Sequence, residues 1–180
     1  MNIEEAQSDM RHAYFGGAIG VAASAVIWLL AGLTCVIRDL QAGVLVLFFG
    51  GMLIHPLAIL GSKLLGRPGA HARSNPLRAL ALESTGILLL GVFLAFMLSR
   101  FRMELFFPAM LIVIGGRYLT FHTLYGRRVY WICGGALASL GVISAMLEAP
   151  AALSVFGGAL IEVAFAVIVF AQTRRDHKNA

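Results

Sequence analysis

Six long apolar segments alternate with short polar ones along the 180 residues of this chain. Charge-free apolar runs of about 20 residues recur, and each is long enough for a helix to cross a hydrocarbon core of roughly 30 Å. The pattern predicts an all-α, polytopic membrane protein with six transmembrane helices, near residues 14–37, 42–65, 79–99, 105–125, 129–147 and 151–172. We expect residues 1–180 to form a single transmembrane domain.

The connections between these spans are short, with one exception. Four of them leave room only for a turn, so sequential helices should be antiparallel neighbours. The second connection covers residues 61–79, and its Pro68, Gly69, Asn75 and Pro76 are residues that break helices and mark a loop. No segment is long enough for a second domain.

The composition agrees with a membrane protein. Hydrophobic residues make up 59% of the chain and charged residues 13%, against roughly 25% charged in an average soluble domain. The formal net charge is +5, but the basic residues cluster at the ends of the spans, and no soluble segment is large enough to form a nucleic-acid platform. The sequence therefore predicts the lipid bilayer as a partner and no nucleic acid.

The distribution of basic residues predicts the orientation, because Lys and Arg stay on the cytoplasmic side. Ten bases fall on the side of the predicted termini and three on the other side. The ten are Arg11, Lys63, Arg67, Arg73, Arg78, Arg127, Arg128, Arg174, Arg175 and Lys178, and the three are Arg38, Arg100 and Arg102. Both termini should be cytoplasmic, and the bases between Lys63 and Arg78 should attract anionic lipid headgroups at roughly 1 kcal/mol each.

Three segments resemble one another without gaps. They read "FFGGMLIH" over residues 48–55, "FFPAMLIV" over residues 106–113 and "VFGGALIE" over residues 155–162. Each lies in the second helix of a hairpin, which favours three helical hairpins related by an axis along the membrane normal, a type of parallel repeat that occurs in transporters. Chance matches among Phe, Gly, Ala, Leu and Ile are the alternative.

Ionisable residues within the spans are the candidates for function. Because charge near the bilayer centre costs from about 2.5 to over 10 kcal/mol, such groups are expected to face the bundle interior and to find partners there. The candidate solute-binding residues are Arg117, Glu162, Glu83, His55, Tyr118 and His122. From their depths we expect Arg117 to form an ion pair with Glu162, with Glu83 or with both.

Three functions are compatible with these residues. The leading interpretation is transport or permeation of an ion or small solute through a six-helix bundle with a polar cluster at its midplane. The alternative is a structural or regulatory membrane subunit whose buried ion pair only fixes helix packing. A membrane-embedded enzyme is a more distant third.

Patterns for catalysis, metals and cofactors are missing from the sequence. It contains no H-E-x-x-H, no Gly-x-Ser-x-Gly, no phosphate-binding glycine loop and no paired cysteines. Cys35 and Cys133 are predicted near opposite faces of the bilayer, too far apart for a disulfide. We therefore predict no cofactor, no metal and no catalytic residue. Small residues four apart, as in residues 16–20, favour close helix packing within the monomer and also allow a homo-oligomer.

As a whole, the chain resembles a family of small uncharacterised bacterial six-span membrane proteins that is defined only as a domain of unknown function. The stretches that carry the resemblance are "MNIEEAQSDMRHAYFGGAIG", "LFFGGMLIHPL", "ALEST" and "FFPAMLIVIGGRYLTFHTLYG". The resemblance implies a bacterial cytoplasmic membrane location and no particular activity.

Overall fold

The protein is a bundle of α-helices. The computed structural model describes the backbone of residues 1–178 and the side chains of residues 1–176, a range without any strand. Its helices are α1 (Ile3–Tyr14), α2 (Ala18–Ile37), α3 (Leu40–Leu64), α4 (Leu77–Phe101), α5 (Phe106–Tyr125), α6 (Val129–Met146) and α7 (Ala151–Lys178). Lys178, one of the bases counted for orientation, lies outside the described side chains.

Six of these helices are long and apolar enough to cross a membrane. They match the six predicted spans in order and position, which confirms the all-α, six-span prediction. The first candidate span, Ile3–Ile37, joins α1 and α2, so it begins earlier than the predicted 14–37. We call the end of the bundle where α2 begins and α7 ends the terminal end, and the opposite end the far end.

Helix α1 is the element that the hydrophobic pattern did not predict. It begins with a capping box, in which the Asn2 side chain accepts from the Glu5 backbone and Glu5 accepts from the Asn2 backbone. It ends at Tyr14, and the next residue, Phe15, has a φ of 52° and begins a left-handed run with Gly16 and Gly17. Gly17 has a second reason to be glycine, because a Cβ there would collide with the Tyr130 hydroxyl. The chain therefore turns sharply before it enters the bundle as α2.

Hydrogen bonds fasten α1 across the terminal end of the bundle. Gln7 donates to the carbonyl of Thr123 at 2.9 Å, and Arg11 donates to the carbonyl of Tyr125 at 2.8 Å. These carbonyls belong to the last turn of α5, where no helical N–H remains to bond them. The buried Asn75 of the long loop donates to Asp9 of α1 at 2.7 Å. Helix α1 thus links α5 to the loop between α3 and α4.

Helices α2, α5, α6 and α7 form the centre of the bundle. Helix α3 packs on α2 and helix α4 packs on α5, and both leave most of their surface exposed. Helices α5 and α6 approach each other closely, since a Cβ on Gly115 would lie 2.6 Å from the carbonyl of Gly134. Close backbone contact at small residues is a usual way for membrane helices to associate.

The three similar segments lie in α3, α5 and α7, as the hairpin prediction requires. Their aligned positions occupy different surroundings, since His55 is exposed, Val113 half-buried and Glu162 fully buried. The three-hairpin repeat therefore stays a prediction, and it does not make these three positions equivalent in environment.

Candidate functional site

A carboxyl group lies in the centre of the bundle. Glu162 is 0% exposed and lies 11 residues after the first residue of α7, or about 16 Å along the helix, close to the middle of a hydrocarbon core of roughly 30 Å. Its Oε1 accepts hydrogen bonds from the Ser24 hydroxyl of α2 and the Tyr118 hydroxyl of α5, both at 2.9 Å. Its Oε2 has no hydrogen-bond partner among the described residues.

Large aromatic side chains enclose this cluster of Ser24, Tyr118 and Glu162. The Tyr118 ring packs against Phe121 and Tyr130, with centroid distances of 5.3 and 6.2 Å, on the side toward the terminal end. One turn from Ser24 toward the far end lies Trp28, which is fully buried and 6.1 Å from the Phe107 ring. In this conformation the carboxyl group is closed off from both ends of the bundle.

Arg117 lies on another side of α5. Consecutive residues of an α-helix are rotated by about 100°, because one turn takes 3.6 residues. Tyr118 therefore reaches inward to Glu162, while Arg117 is directed toward α4. There its guanidinium donates to Thr85 Oγ1 at 3.4 Å and lies 5.6 Å from the centre of the Phe121 ring. Its Nε is buried and has no acceptor within the described part of the chain.

The predicted ion pair of Arg117 is wrong. No carboxylate oxygen of residues 1–176 lies within 4.0 Å of the Arg117 guanidinium, and neither Glu162 nor Glu83 takes part in an ion pair. Depth along the membrane placed the three residues close together. Their helices, however, direct Glu162 to the bundle centre and Glu83 to the outer surface.

The other candidate residues do not join the cluster. His55 on α3 and Glu83 on α4 are exposed, which contradicts the expectation that they face the interior. His122 is half-buried and packs against Trp131, with ring centroids 4.2 Å apart. Of the six candidates the structure brings together only Tyr118 and Glu162, and their assignment as solute-binding residues stays a prediction.

Sequence reasoning missed Ser24, whose hydroxyl contacts Glu162, and Thr85, whose hydroxyl contacts Arg117. A signal was present for each, since both are polar residues inside apolar spans at depths similar to those of their partners. Serine and threonine are common in membrane helices, however, because their hydroxyls can bond to their own backbone, as Thr85 does to Ala81 at 2.9 Å. Residue type alone therefore did not single them out.

A groove between α4 and α5 leads to Arg117. Its volume is about 250 Å³. Its lining combines Ser84, Arg117 and Thr120 with the apolar Ile87, Gly91, Ile112, Val113 and Gly116. Because Ile87 is 66% and Ile112 39% exposed, the groove opens on the outer surface of the bundle. Glu162 does not line it.

A second cavity of about 490 Å³ lies at the terminal end, between α1, the α5–α6 turn and α7. Both basic residues of its lining have partners: Arg11 donates to the last carbonyl of α5, and Arg127 forms an ion pair of 2.6 Å with Asp176. Arg127 also donates to Thr173 at 2.7 Å. The contacts of Arg127 join α7 to the α5–α6 turn, so the charged residues that line this cavity hold helices together.

Nothing in the described side chains resembles a metal centre, since no group of three His, Cys, Asp or Glu residues lies close enough to hold an ion. Cys35 and Cys133 are both free thiols, the first half-buried and the second fully buried. The chemistry open to these side chains is therefore proton binding by the Glu162 carboxyl group and anion binding by the Arg117 guanidinium.

Comparison with known proteins places the chain in a family. A model of DUF7010, a family of unknown function, matches residues 3–172, and the protein therefore belongs to that family. No curated protein and no solved structure matches the chain. Family membership and six apolar helices together support an integral, multi-pass membrane protein, and a bacterial origin stays a prediction.

Proposed function

We propose that this protein transports a small solute across the membrane and that proton binding at Glu162 is coupled to the transport. The observation that carries the proposal is the carboxyl group of Glu162, which is completely buried near mid-membrane with no cation within 4.0 Å among residues 1–176. Ionisable residues inside membrane spans commonly mark proton relays and substrate pathways. A proton taken up by Glu162 would remove a charge that no neighbouring cation among residues 1–176 compensates.

Arg117, on another side of α5, also supports the proposal. Its guanidinium has five N–H donors, and within the described residues it makes one side-chain hydrogen bond, to Thr85. A negatively charged solute would supply the missing acceptors. Because Arg117 and Tyr118 are consecutive residues, a movement of α5 that accompanies solute binding at Arg117 would also move the hydroxyl that Tyr118 donates to Glu162.

The closed aromatic surroundings of Glu162 fit one state of a transport cycle. Alternating access requires that a central site be closed on one or both sides in each state and that packed helices move against each other between states. The close contact of α5 and α6 at Gly115 and Gly134 favours movement of these two helices as a unit.

The orientation and location belong to the same proposal. We place the protein in a bacterial cytoplasmic membrane with the terminal end in the cytoplasm, on the argument from basic residues. Lys63, Arg73 and Arg78 are exposed at that end and available to anionic lipid headgroups. A structural or regulatory subunit held by a buried ion pair is the weaker alternative, because Arg117 and Glu162 form no such pair.

Proton movement in proteoliposomes tests the proposal. Phosphatidylcholine vesicles, with and without phosphatidylglycerol, contain a pH-sensitive dye and are given an inside-negative potential with potassium and valinomycin. Chloride, phosphate and glutamate buffers are used in turn. We expect the wild type to acidify the lumen faster than protein-free vesicles do, and Glu162→Gln to lose this activity. Glu83→Gln is the matched control and should behave as the wild type, because Glu83 is an exposed carboxylate outside the cluster.

Two results would overturn the proposal. The first is wild-type acidification equal to that of protein-free vesicles in every buffer and both lipid compositions. The second is equal acidification by the wild type and by Glu162→Gln, because proton movement would then not use the buried carboxyl group.

A further inference from the structure

The groove between α4 and α5 has an unusual combination of walls. Most of its lining is apolar, yet one of its polar groups is a guanidinium without an acidic partner in residues 1–176. Exposed side chains such as Ile87 and Ile112 border it, and on the surface of a membrane-spanning bundle exposed apolar residues face lipid. The groove is therefore open sideways to the hydrocarbon region.

Arg117 is the only strong hydrogen-bond donor in this lining. The hydroxyl of Ser84 donates to the carbonyl of Ala81, and the hydroxyl of Thr120 donates to the carbonyl of Arg117 itself. Their protons are used within their own helices, so an anion in the groove would be held by the guanidinium. Leaving the N–H groups of the Arg117 guanidinium without acceptors in a lipid-facing groove costs free energy, which favours an anionic occupant.

The depth of Arg117 limits what this occupant can be. It lies eight residues before the last residue of α5, or about 12 Å along the helix, well below the surface of a hydrocarbon core of roughly 30 Å. A soluble anion would have to leave water and enter a mainly apolar groove to reach it. In an anion that is attached to a hydrocarbon chain, the chain would contact the apolar walls and the charged head would contact the guanidinium.

The size of the groove supports the same choice. Pockets that enclose a whole small molecule measure about 300–1,000 Å³, whereas this groove measures about 250 Å³. It accommodates a small head and the first part of a chain, and the remainder of the chain would lie in the surrounding lipid. The lateral opening allows this arrangement.

We propose that the groove binds an anionic amphiphile, with a carboxylate or phosphate head at Arg117 and a hydrocarbon chain along Ile87, Ile112 and Gly116 that extends into the bilayer. This inference rests on the proposed transport function and names the class of its solute: a lipid-like anion that enters sideways from the half of the bilayer at the terminal end.

Selective lipid binding tests the proposal without any proton gradient. The full-length protein is reconstituted in phosphatidylcholine nanodiscs, and electron spin resonance measures the immobilised fraction of three probes with a spin label near the chain end: stearate, phosphatidylglycerol and phosphatidylcholine. We expect a preference of about fivefold for one or both acidic probes over phosphatidylcholine, the factor that corresponds to one additional charge contact. Comparing stearate with phosphatidylglycerol distinguishes a carboxylate head from a phosphodiester head.

Two pairs of variants identify the groove as the binding site. Arg117→Gln should abolish the preference, whereas Arg100→Gln, which removes an exposed base at the far end, should keep it. Gly116→Leu should reduce the preference severalfold although Arg117 remains, because a Cβ at Gly116 meets open space and the larger side chain occupies the groove. Gly135→Leu on α6 also meets open space, does not line the groove, and is the matched control.

Several outcomes would contradict the proposal. Equal immobilisation of all three probes would refute it, as would an unchanged preference in Gly116→Leu. Displacement of the labelled lipids by inorganic phosphate would show that the ligand is a soluble anion. The two proposals fail separately: selective binding without proton movement would remove transport and leave the lipid site, and proton movement without selective binding would do the reverse.

Discussion

Replacement of Tyr118 with Phe tests the hydrogen bonds of the buried carboxyl group most directly. The change deletes only the hydroxyl that donates to Glu162 Oε1 at 2.9 Å. The ring should stay in place, because it is 5% exposed and packs against Phe121 and Tyr130. Any loss of stability therefore reports on the hydrogen bond and not on a cavity.

The expected loss follows from hydrogen bonds measured in membrane proteins. Such bonds contribute about 0.6 kcal/mol on average and at most about 1.7 kcal/mol, less than the 1.5–3 kcal/mol of bonds to a charged acceptor in water-soluble proteins. We expect Tyr118→Phe to lower the free energy of unfolding by about 1 kcal/mol. Ser24→Ala, which deletes the other donor to the same oxygen, should have a similar effect.

A double-mutant cycle isolates this bond. Glu162→Gln keeps a carbonyl oxygen in the position of Oε1, so Tyr118→Phe should cost about 1 kcal/mol in that background as well. Glu162→Leu removes the acceptor, and Tyr118→Phe should then cost close to nothing. Unfolding by SDS titration in mixed micelles, followed by the fluorescence of the two tryptophans, Trp28 and Trp131, measures all six proteins.

Equal costs of Tyr118→Phe in the wild type and in the Glu162→Leu background would refute the reasoning, since the hydroxyl would then stabilise the protein without its acceptor. A loss near 3 kcal/mol in the wild type would also contradict it, because the bond would exceed the strength expected inside a membrane.

Three further predictions concern helix packing, the far end of the bundle and orientation. Gly115→Ala should destabilise the bundle by about 1–3 kcal/mol in the same titration, because its Cβ would lie 2.6 Å from a carbonyl oxygen of α6, whereas Gly116→Ala beside it meets open space and should be close to neutral. The Arg102 guanidinium, 2.9 Å from Glu148, lowers the pKa of that exposed carboxyl group. The ion pair should therefore persist above the ordinary glutamate pKa and be lost as the pH falls through the lowered value. Carbon-13 NMR should show the Glu148 pKa rising in Arg102→Gln, and an unchanged pKa would contradict the pairing. In a cysteine-free background, an impermeant thiol reagent applied to intact cells should label Glu148→Cys and not Ser74→Cys, and the reverse pattern would invert the proposed orientation.

The order of the spans could be predicted from the sequence because the length of each apolar run is counted directly along the chain. A run of about 20 apolar residues determines a membrane-spanning helix whatever its neighbours are, and the short connections make neighbours antiparallel. Depth follows from the same counting, which is why Ser24, Tyr118 and Glu162 could in principle have been placed at one level. Helix α1 could not be predicted by counting apolar residues, because it is held by a capping box and by contacts with α5 and the long loop.

The rotation of each helix about its axis was decided only by the tertiary structure. In a soluble helix a polar face marks the side that meets water, but membrane helices are apolar toward lipid and toward each other, so the pattern carries little information on which side faces inward. A step of one residue rotates the side chain by about 100° around the helix, so Ser84 is buried while the adjacent Glu83 is exposed. The same rotation separates Arg117 from Tyr118. The pairing of Arg117 with a carboxylate was wrong for this reason: sequence determines how deep a charge lies, whereas the packing of the helices against one another determines which way it points.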